Sequence, residues 1–437
     1  MVSSLEKPFF VLILFLASEA LLPLLLLGPS LSNVPYADTS ATLQAIWTGI
    51  YLIAGVLIIA RWREVRECLA GQKWLVFLLG LAIASVLWSA APAVTARRAI
   101  ALVGTTMVGA LVAVRFGLEG TLRLTAQALL AAAVLSVLFV VAIPHLGIAT
   151  GVHEGAWQGV FVQKNRLGRM MALASLAFFL LGRADARAWG WRIALALALL
   201  LLYKSQSASA VVISVITAAA YVLLRILRID YRLLAAASIV LGLITIGAGY
   251  WVSQNFEAVA SAVGRDATLT GRTLLWLVLI AEISNRPWLG YGYGAFWSAR
   301  SGSVWQMLTW KPGHAHNGYL DALLDLGVIG LGVAMLGLAS VFLRELRGLR
   351  SSRSPVDAWA VLFMVLYFIY NIVESALLTR NNLFWMLCVA VAVSSRASPK
   401  APESEREVRQ AAPAHGEEPW AMPSCMPAAR EPRGGEE

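Results

Sequence analysis

Two histidines separated by one residue offer proton-transfer chemistry in the segment Gly313-His-Ala-His-Asn-Gly-Tyr-Leu-Asp321. His314 and His316 are two of the five histidines in the chain, and they stand just before a long apolar run. An imidazole near its ordinary pKa can accept a proton from a hydroxyl at neutral pH, so one of them could act as a general base. A metal site and a structural hydrogen-bonding role are alternatives. The loop has no Cys and few carboxylates to complete a metal ligand set, which disfavours the former.

Positive charges gather where a negatively charged substrate could bind. Lys164, Arg166 and Arg169 crowd the start of a predicted helix, whose dipole already favours anions, and Asn165 lies among them. A phosphate would fit there. A second set of cations occupies the long segment 253–317, and it comprises Arg265, Arg272, Arg286, Arg300 and Lys311. Arginine suits a diphosphate because its fork donates two hydrogen bonds at once. For an isolated arginine at a helix end, snorkelling to lipid headgroups is the ordinary explanation.

The rest of the sequence predicts that helices within a membrane position these groups. Apolar residues make up 59% of the chain and charged residues 14%, far from the composition of a soluble domain. A bilayer needs roughly 20 mostly apolar residues per spanning helix. Runs of about that length predict an all-α integral membrane protein with about twelve spans, at 8–28, 43–60, 74–91, 97–114, 124–143, 167–182, 190–203, 208–224, 233–252, 318–343, 356–377 and 381–395.

The distribution of cations between the short loops predicts the orientation. One set of connections is densely basic and is therefore predicted to be cytoplasmic, with residues such as Arg61, Arg63, Arg66, Arg115, Arg123, Arg183, Arg187, Arg225, Arg228, Arg344 and Arg347. Both termini then lie in the cytoplasm. The predicted order is helices 1–9 in residues 1–252, a long non-cytoplasmic loop with short interfacial helices at 253–317, helices 10–12 in residues 318–396 and a disordered tail at 397–437. Binding of these loops to anionic lipid accounts for the net charge of +10, so nucleic acid is not implied.

Several short motifs resemble the O-antigen ligase and polymerase superfamily. The first set is Gly271-Arg272 with Trp276, followed by Pro287-Trp-Leu-Gly-Tyr-Gly-Tyr-Gly294. His316-Asn317 is then followed, after nine residues, by Gly327-Val-Ile-Gly330, a spacing that is similar to that of the ligases in particular. Weaker similarities upstream are Leu87-Trp-Ser89 with Pro92, Arg97-Arg98 and Lys164-Asn165. The resemblance runs from about residue 80 to residue 390.

The resemblance implies glycan transfer at the periplasmic face of a bacterial inner membrane. The donor would be a polysaccharide on undecaprenyl diphosphate, and the acceptor a hydroxyl of the lipid A-core oligosaccharide. A diphosphate held by cations leaves as an anion, so neither ATP nor a metal nor another cofactor is expected, and the chain has no P-loop motif. An O-antigen polymerase or a protein O-oligosaccharyltransferase of the same superfamily is the alternative, and a lipid or glycan transporter is a more distant one.

The same resemblance assigns roles to residues. His316 would be the base that activates the acceptor hydroxyl. Arg265 and Arg272, together with Arg166, would hold the diphosphate and stabilise its growing charge. Further candidates for binding the diphosphate or substrate are Lys164, Asn165, Arg169, Arg300 and Lys311, with His314 and Asn317 beside the base. No residue is assigned to a metal.

Two further sets of residues have open roles. Asp321 and Asp325 could orient His316, but solvated acids at a helix start are the favoured interpretation. Tryptophans in the predicted non-cytoplasmic loops could stack on sugar faces or anchor the loops at the interface, and they are Trp157, Trp297, Trp305 and Trp310.

Overall fold

The computed structural model describes residues 6–27, 40–185, 187–226, 272–308, 311–349 and 354–394. These residues form helices joined by loops, with one isolated bridge between Ile148 and Trp157. The α-helices are α1 Glu6–Ala17, α2 Leu22–Leu27, α3 Ala41–Ala60, α4 Trp62–Ala70, α5 Lys73–Ala84, α6 Pro92–Ala142, α7 Pro144–Gly147, α8 Lys164–Ala184, α9 Trp189–Lys204, α10 Ala208–Ile226, α11 Arg272–Asn285, α12 Phe296–Ala299, α13 Ser301–Gln306, α14 Gly318–Gly348, α15 Trp359–Val373 and α16 Leu383–Ser394. Short 3₁₀ turns occupy Ser85–Leu87, Gly151–His153 and Pro355–Ala358.

The predicted all-α, multi-span membrane fold is confirmed. Within the described residues, six helices are long and apolar enough to cross a bilayer, or up to seven if the bent pair Trp62–Ala70 and Lys73–Leu87 counts as one span. The predicted total of twelve stays a prediction. The predicted span 233–252, the part of the long loop at 253–271 and the tail lie outside the described residues.

Helix α6 is long because two predicted spans follow each other without a loop. Its 51 residues would extend about 76 Å as one straight helix, more than twice a bilayer core of about 30 Å. Gly117 interrupts it with a φ of 62° and a ψ of −170°, a backbone conformation open only to glycine. The halves on either side of Gly117 correspond to the predicted spans 97–114 and 124–143.

The first predicted span, 8–28, is divided into two helices. Glu19 and Leu21 both have positive φ, of 61° and 64°, and the N–H of Leu21 donates to the carbonyl of Val160 at 2.8 Å. The apolar run that predicted one helix also contains a single acid, Glu19, which pairs with Arg166. An unpaired charge in lipid would be costly, so this pairing helps to fix the bend that carries Glu19 inward.

Helix α14 is broken at Gly327, which has a φ of 65° and a ψ of −167°. The glycine-rich segment before α12 supplies hydrogen bonds to the interrupted backbone. The N–H groups of Tyr291 and Gly292 donate to Leu324 and Asp325 at 2.7 and 3.1 Å, and the carbonyl of Pro287 accepts from Val328 at 2.8 Å. Broken helices are tolerated at membrane depth only when such partners exist. The Gly-Tyr-Gly-Tyr-Gly motif therefore has a structural role, because its backbone N–H groups bind carbonyls that the break leaves without helical partners.

Helix α16 forms the centre of the bundle. All twelve of its residues are buried, and it packs closely on α6, where Gly109 faces the carbonyl of Met386. Trp385 donates to the Thr106 hydroxyl at 3.0 Å. An apolar sequence on all sides is typical of a helix surrounded by other helices. The predicted span 381–395 is therefore a short internal helix.

Replacing Gly327 with Ala should destabilise the fold strongly. The new Cβ would overlap the carbonyl of Trp288, and the backbone conformation alone costs about 1–3 kcal/mol for a residue other than glycine. Gly332→Ala, in the same helix with open space around the new methyl group, is the matched control and should be neutral or slightly stabilising. Thermal unfolding of the purified protein in detergent, followed by tryptophan fluorescence, measures both. Equal melting temperatures for the two variants would contradict the role given to the break.

Candidate functional site

A cavity of about 200 Å³ lies where α1, α3, α6, α8, α14 and α15 meet. One wall is apolar and comes from α1, α2 and α3, with Leu16, Leu22, Pro23, Leu43, Ile46 and Trp47. The other wall is polar and carries charges of both signs. Its ionisable residues are Glu19, Arg98, Arg166, His314, Asp321, Asp325, Glu374 and Arg380. An amphipathic ligand with a charged or hydroxylated head matches these two walls.

Glu374 is the centre of the polar wall. It follows the last residue of α15, and its backbone N–H donates to Tyr370 at 2.9 Å. One carboxylate oxygen lies 3.0 Å from Nδ1 of His316 and 3.2 Å from Nε2 of His314. The other oxygen forms an ion pair with Arg169. One buried carboxylate therefore joins both histidines to an arginine.

These contacts distinguish the roles of the two imidazoles. The backbone N–H of His316 donates to Nδ1 of His314 at 3.2 Å, so Nδ1 of His314 is unprotonated and its Nε2–H donates to Glu374. Both ring nitrogens of His314 are thus engaged. In His316 the Nδ1–H points at Glu374, which makes Nε2 the basic nitrogen of that ring. A carboxylate that orients a histidine in this way is the arrangement of general-base catalysis.

The histidine loop is held in place by Asp321, in the first turn of α14. Its carboxylate accepts from the N–H of Ala315 at 3.1 Å and from the indole of Trp297 at 2.8 Å, and it also pairs with the hydroxyl of Ser375. The carbonyl of Ala315 accepts from the indole of Trp276 at 2.9 Å. Asp321 thereby fastens the histidine loop to the residue that follows Glu374. The favoured interpretation of Asp321 as a solvated helix-start acid is wrong, because its oxygens are used inside the protein.

Three arginines surround Glu374. The guanidinium of Arg169 lies over the ring of Tyr370, 5.3 Å from its centroid, and its Nε–H donates to the carbonyl of Asn165 at 3.0 Å. Arg272 donates to the carbonyl of Val373 at 3.0 Å. Arg166 pairs with Glu19 and lines the cavity. The local charge is therefore positive despite the carboxylates.

The pKa values of the groups outside the spans follow from this arrangement. Burial alone would raise the pKa of the Glu374 carboxyl, but Arg169, His316 and His314 outweigh it and hold that pKa well below its ordinary value. Burial, together with the neighbouring His316, holds the pKa of His314 well below its ordinary value. An ionised Glu374 and a neutral His314 are the expected states at neutral pH.

The side chains of His314, His316 and Glu374 also form a set that could hold a metal ion, since their ligand atoms lie within 4.8 Å of one another. The sequence did not place a carboxylate beside the two histidines, and the structure supplies one from a distant position. Arg169 already pairs with this carboxylate, and Arg166 and Arg272 add positive charge nearby. This charge opposes a divalent cation, so an anionic ligand fits the site better.

The sequence comparisons agree with this geometry. The family model described as O-Antigen ligase matches residues 193–335, which include Arg272, both histidines and the break at Gly327. The Exopolysaccharide production protein ExoQ of Rhizobium meliloti (strain 1021) is 30% identical over 346 residues, which cover 74% of this chain and 77% of that protein. The chain belongs to the O-antigen ligase superfamily. Members of this superfamily are glycosyltransferase-like membrane enzymes that act on polysaccharide and lipid-linked substrates.

The superfamily residues predicted from sequence are only partly brought together. Arg166, Arg169, Arg272, His314 and His316 surround Glu374. The remaining predicted binding residues have other contacts. Lys164 donates to the carbonyl of Gln206, and the carbonyl of Asn165 accepts from Arg169. Arg300 forms an ion pair with Glu282, and the ammonium group of Lys311 lies over the ring of Trp305. Asn317 caps α14 by accepting from the N–H groups of Tyr319 and Leu320 at 3.0 and 3.2 Å. Arg265 lies outside the described residues.

Sequence reasoning missed Glu374, which joins both histidines to Arg169. Its apolar neighbours predict only a span at 356–377, and those of Glu19 predict only a span at 8–28. The signal was present, because an acid within a predicted span is expensive and marks a functional site by default. Arg98 and Arg380 line the cavity as well, although neither was a candidate for binding substrate.

The lowered pKa of His314 makes the folded protein sensitive to acid. Below a pH of about 6.5 the unfolded chain binds a proton at this residue while the folded protein does not, so stability falls as the pH falls. The loss is at most about 1.4 kcal/mol per pH unit. His314→Gln, whose amide can make the same two hydrogen bonds, should lose less melting temperature between pH 7.5 and 5.5 than the wild type.

Thermal melts at the two pH values measure this difference. His145→Gln, at an exposed histidine in α7, serves as the control and should follow the wild type. A decrease in His314→Gln as large as that of the wild type would show that His314 does not remain neutral in the fold.

Proposed function

We propose that the protein transfers a glycan from undecaprenyl diphosphate to a hydroxyl group of an acceptor at the non-cytoplasmic face of a bacterial inner membrane. The observation that carries the proposal is the pair of His316 and Glu374, set among arginines beside a cavity with one apolar wall. This combination supplies a base for a hydroxyl, positive charge for a diphosphate and an apolar surface for a polyprenyl chain.

Arginines on two helices bind the leaving group in this proposal. Arg166 reaches the cavity directly, and Arg169 and Arg272 add positive charge behind it. Arg166 and Arg169 are paired with carboxylates, yet a guanidinium has five N–H donors and can bind a phosphate while it keeps such a partner. Arg265 remains a proposed member of this group on the resemblance alone.

The reaction takes place in one displacement. His316 accepts the proton of the acceptor hydroxyl at Nε2, and the oxygen attacks the anomeric carbon of the donor. A new glycosidic C–O bond forms with inversion, while the C–O bond to the diphosphate breaks and its electron pair leaves with the undecaprenyl diphosphate. Glu374 stabilises the imidazolium through Nδ1–H. The steps use neither ATP nor a metal ion.

The first candidate acceptor is the lipid A-core oligosaccharide, which makes the protein an O-antigen ligase. The spacing from His316-Asn317 to Gly327 supports this acceptor. The second candidate is another lipid-linked glycan, so that the enzyme elongates a polysaccharide. The relative named Exopolysaccharide production protein ExoQ favours it.

The arrangement of the helices supports the orientation. Helices α3, α8 and α14 all begin at the cavity and end near basic connections, which are Arg61 with Arg63, Arg183 with Arg187, and Arg344 with Arg347. Basic loops remain in the cytoplasm, so the cavity would face the periplasm and both termini the cytoplasm. In this proposal residues 1–252 hold helices 1–9, residues 253–317 form a periplasmic loop that carries catalytic elements, and residues 318–396 hold helices 10–12.

Purified protein, undecaprenyl-diphosphate glycan and core-terminated lipopolysaccharide, without ATP or added metal, provide the test. Glycan on the core lipid would identify a ligase, and longer undecaprenyl-linked chains a polymerase. His316→Ala should lower the rate by about 10²- to 10⁴-fold, because no other group accepts the proton. His145→Ala is the control and should retain the wild-type rate. A full rate in His316→Ala would contradict the base assignment, and no product with either acceptor would overturn the enzyme proposal.

Glu374→Gln tests the positioning role. The amide can still accept a hydrogen bond from His316 but does not stabilise the imidazolium, so kcat should fall at least tenfold with a smaller change in KM for the acceptor. The acid limb of the pH-rate profile should move to lower pH, because a histidine without a neighbouring carboxylate loses its proton more easily and remains a base in more acidic solution. An unchanged pH profile would leave Glu374 with a merely structural task.

A further inference from the structure

A second set of ionisable residues, Asp325, Arg98 and Arg380, lines the cavity away from Glu374. Asp325 lies one turn after Asp321 on the short half of α14, just before the break at Gly327. Arg98, which is 6% exposed, donates to the carbonyl of Gly294, and Arg380 lies in the loop between α15 and α16. Both arginines interact electrostatically with Asp325. Ionisable groups at this depth are costly, so a structural reason or a ligand must retain them.

Asp325 differs from the other carboxyl groups of the cavity in its contacts. Glu374 is occupied by Arg169 and two histidines, Asp321 by Ala315, Trp297 and Ser375, and Glu19 by Arg166. The hydrogen bond of the Asp325 side chain comes from the N–H of Gly294. A carboxyl group has room for several more donors in either protonation state. Asp325 therefore retains acceptor capacity for a ligand.

The neighbours of Asp325 indicate the kind of ligand. Arg98 and Arg380 are donors, the carboxamide of Asn381 lines the same wall, and Trp297 and Tyr293 provide aromatic surface. A phosphate carries few donors at neutral pH and would make no use of a carboxyl acceptor. A sugar has hydroxyl groups that donate and accept at once, and it needs acceptors and donors side by side. The chemistry of this end of the cavity therefore matches a sugar.

We propose that Asp325, Arg98 and Arg380 form a subsite for the sugar bonded directly to the diphosphate of the donor. Arg166 and Asp325 line one cavity of about 200 Å³, so a group held by Asp325 lies next to a diphosphate held by Arg166. Hydrogen bonds from Asp325 and the two arginines to the sugar hydroxyls then select the donor sugar and orient its anomeric carbon. This inference rests on the proposed function and names the part of the donor that this end of the cavity binds.

The break in α14 explains how a helix residue reaches that position. A continuous helix would bury the carbonyls of Leu324 and Asp325 in its own hydrogen bonds, whereas here they accept from Tyr291 and Gly292. The segment that contains Gly294 is thereby fixed against both Asp325 and Arg98. The glycine-rich motif consequently holds the donor and acceptor groups of the subsite in one place.

Binding without an acceptor, so that no turnover occurs, tests the subsite. Full-length protein in nanodiscs is titrated with undecaprenyl-diphosphate glycan and with undecaprenyl diphosphate that lacks a sugar. Asp325→Asn replaces one acceptor oxygen with donors, and it should weaken binding of the sugar-bearing lipid at least tenfold while the sugar-free lipid binds within twofold of the wild type. Asp357→Asn, an exposed acid of the Pro355–Ala358 turn, is the matched control and should change neither affinity.

Arg380→Gln, at a partly exposed position, provides a second variant if Asp325→Asn does not fold, and it should show the same selective loss. Equal weakening for both lipids, or no weakening for either, would overturn the sugar subsite while the diphosphate site stands. In the turnover assay with both substrates, an increase in KM for the acceptor alone would assign this end to the acceptor and also overturn the sugar subsite. A wild type that binds neither lipid would instead refute the proposed function, and the subsite with it.

Discussion

The site depends on a buried carboxylate that three side chains share. Glu374 is buried, and an isolated charge shielded from water would be very unfavourable, so it requires Arg169 and the two histidines. Removing one partner from such a pair typically costs about 3–5 kcal/mol. The carboxylate follows the end of α15, and its partners come from the start of α8 and the loop before α14. Satisfying one charge thus fixes three separate parts of the chain relative to one another.

Irregular backbone is concentrated around the same cavity. Glu19, His316 and Asn381 have φ values of 61°, 49° and 55°, and α14 is broken nearby at Gly327. Such conformations carry strain and persist only where surrounding contacts determine them. In a membrane they are tolerated where they line a polar cavity and their backbone groups find partners. The irregular backbone therefore shapes the wall of the cavity, and its position at a polar cavity allows it to persist within the membrane.

The sequence predicted the helical membrane fold and part of the site for different physical reasons. Apolar length is a local property, so the long apolar helices of the described residues could be located, including both halves of α6. The motif that contains His316 is also local. The pairing of Glu374 with Arg169 and of Glu19 with Arg166 joins distant positions, and no periodicity within either apolar run reports it. Arg300 and Lys311 were predicted to bind the diphosphate because of their positive charge. Their neighbours in the fold are instead Glu282 and Trp305, which the sequence near them does not indicate.

The separation of the paired charges along the chain has a consequence for biosynthesis. Nearly half of the sequence lies between Arg169 and Glu374, and Glu19 stands almost at the beginning. During synthesis α8 enters the membrane long before α15 exists. Arg169 therefore has no ion pair with Glu374 until the end of α15 has been synthesised. A polypeptide halted before residue 374 would contain Arg169 without its carboxylate partner, together with two histidines that lack their contact with Glu374. The site can therefore be complete only after α15 has been inserted, and unfinished chains contain only part of it.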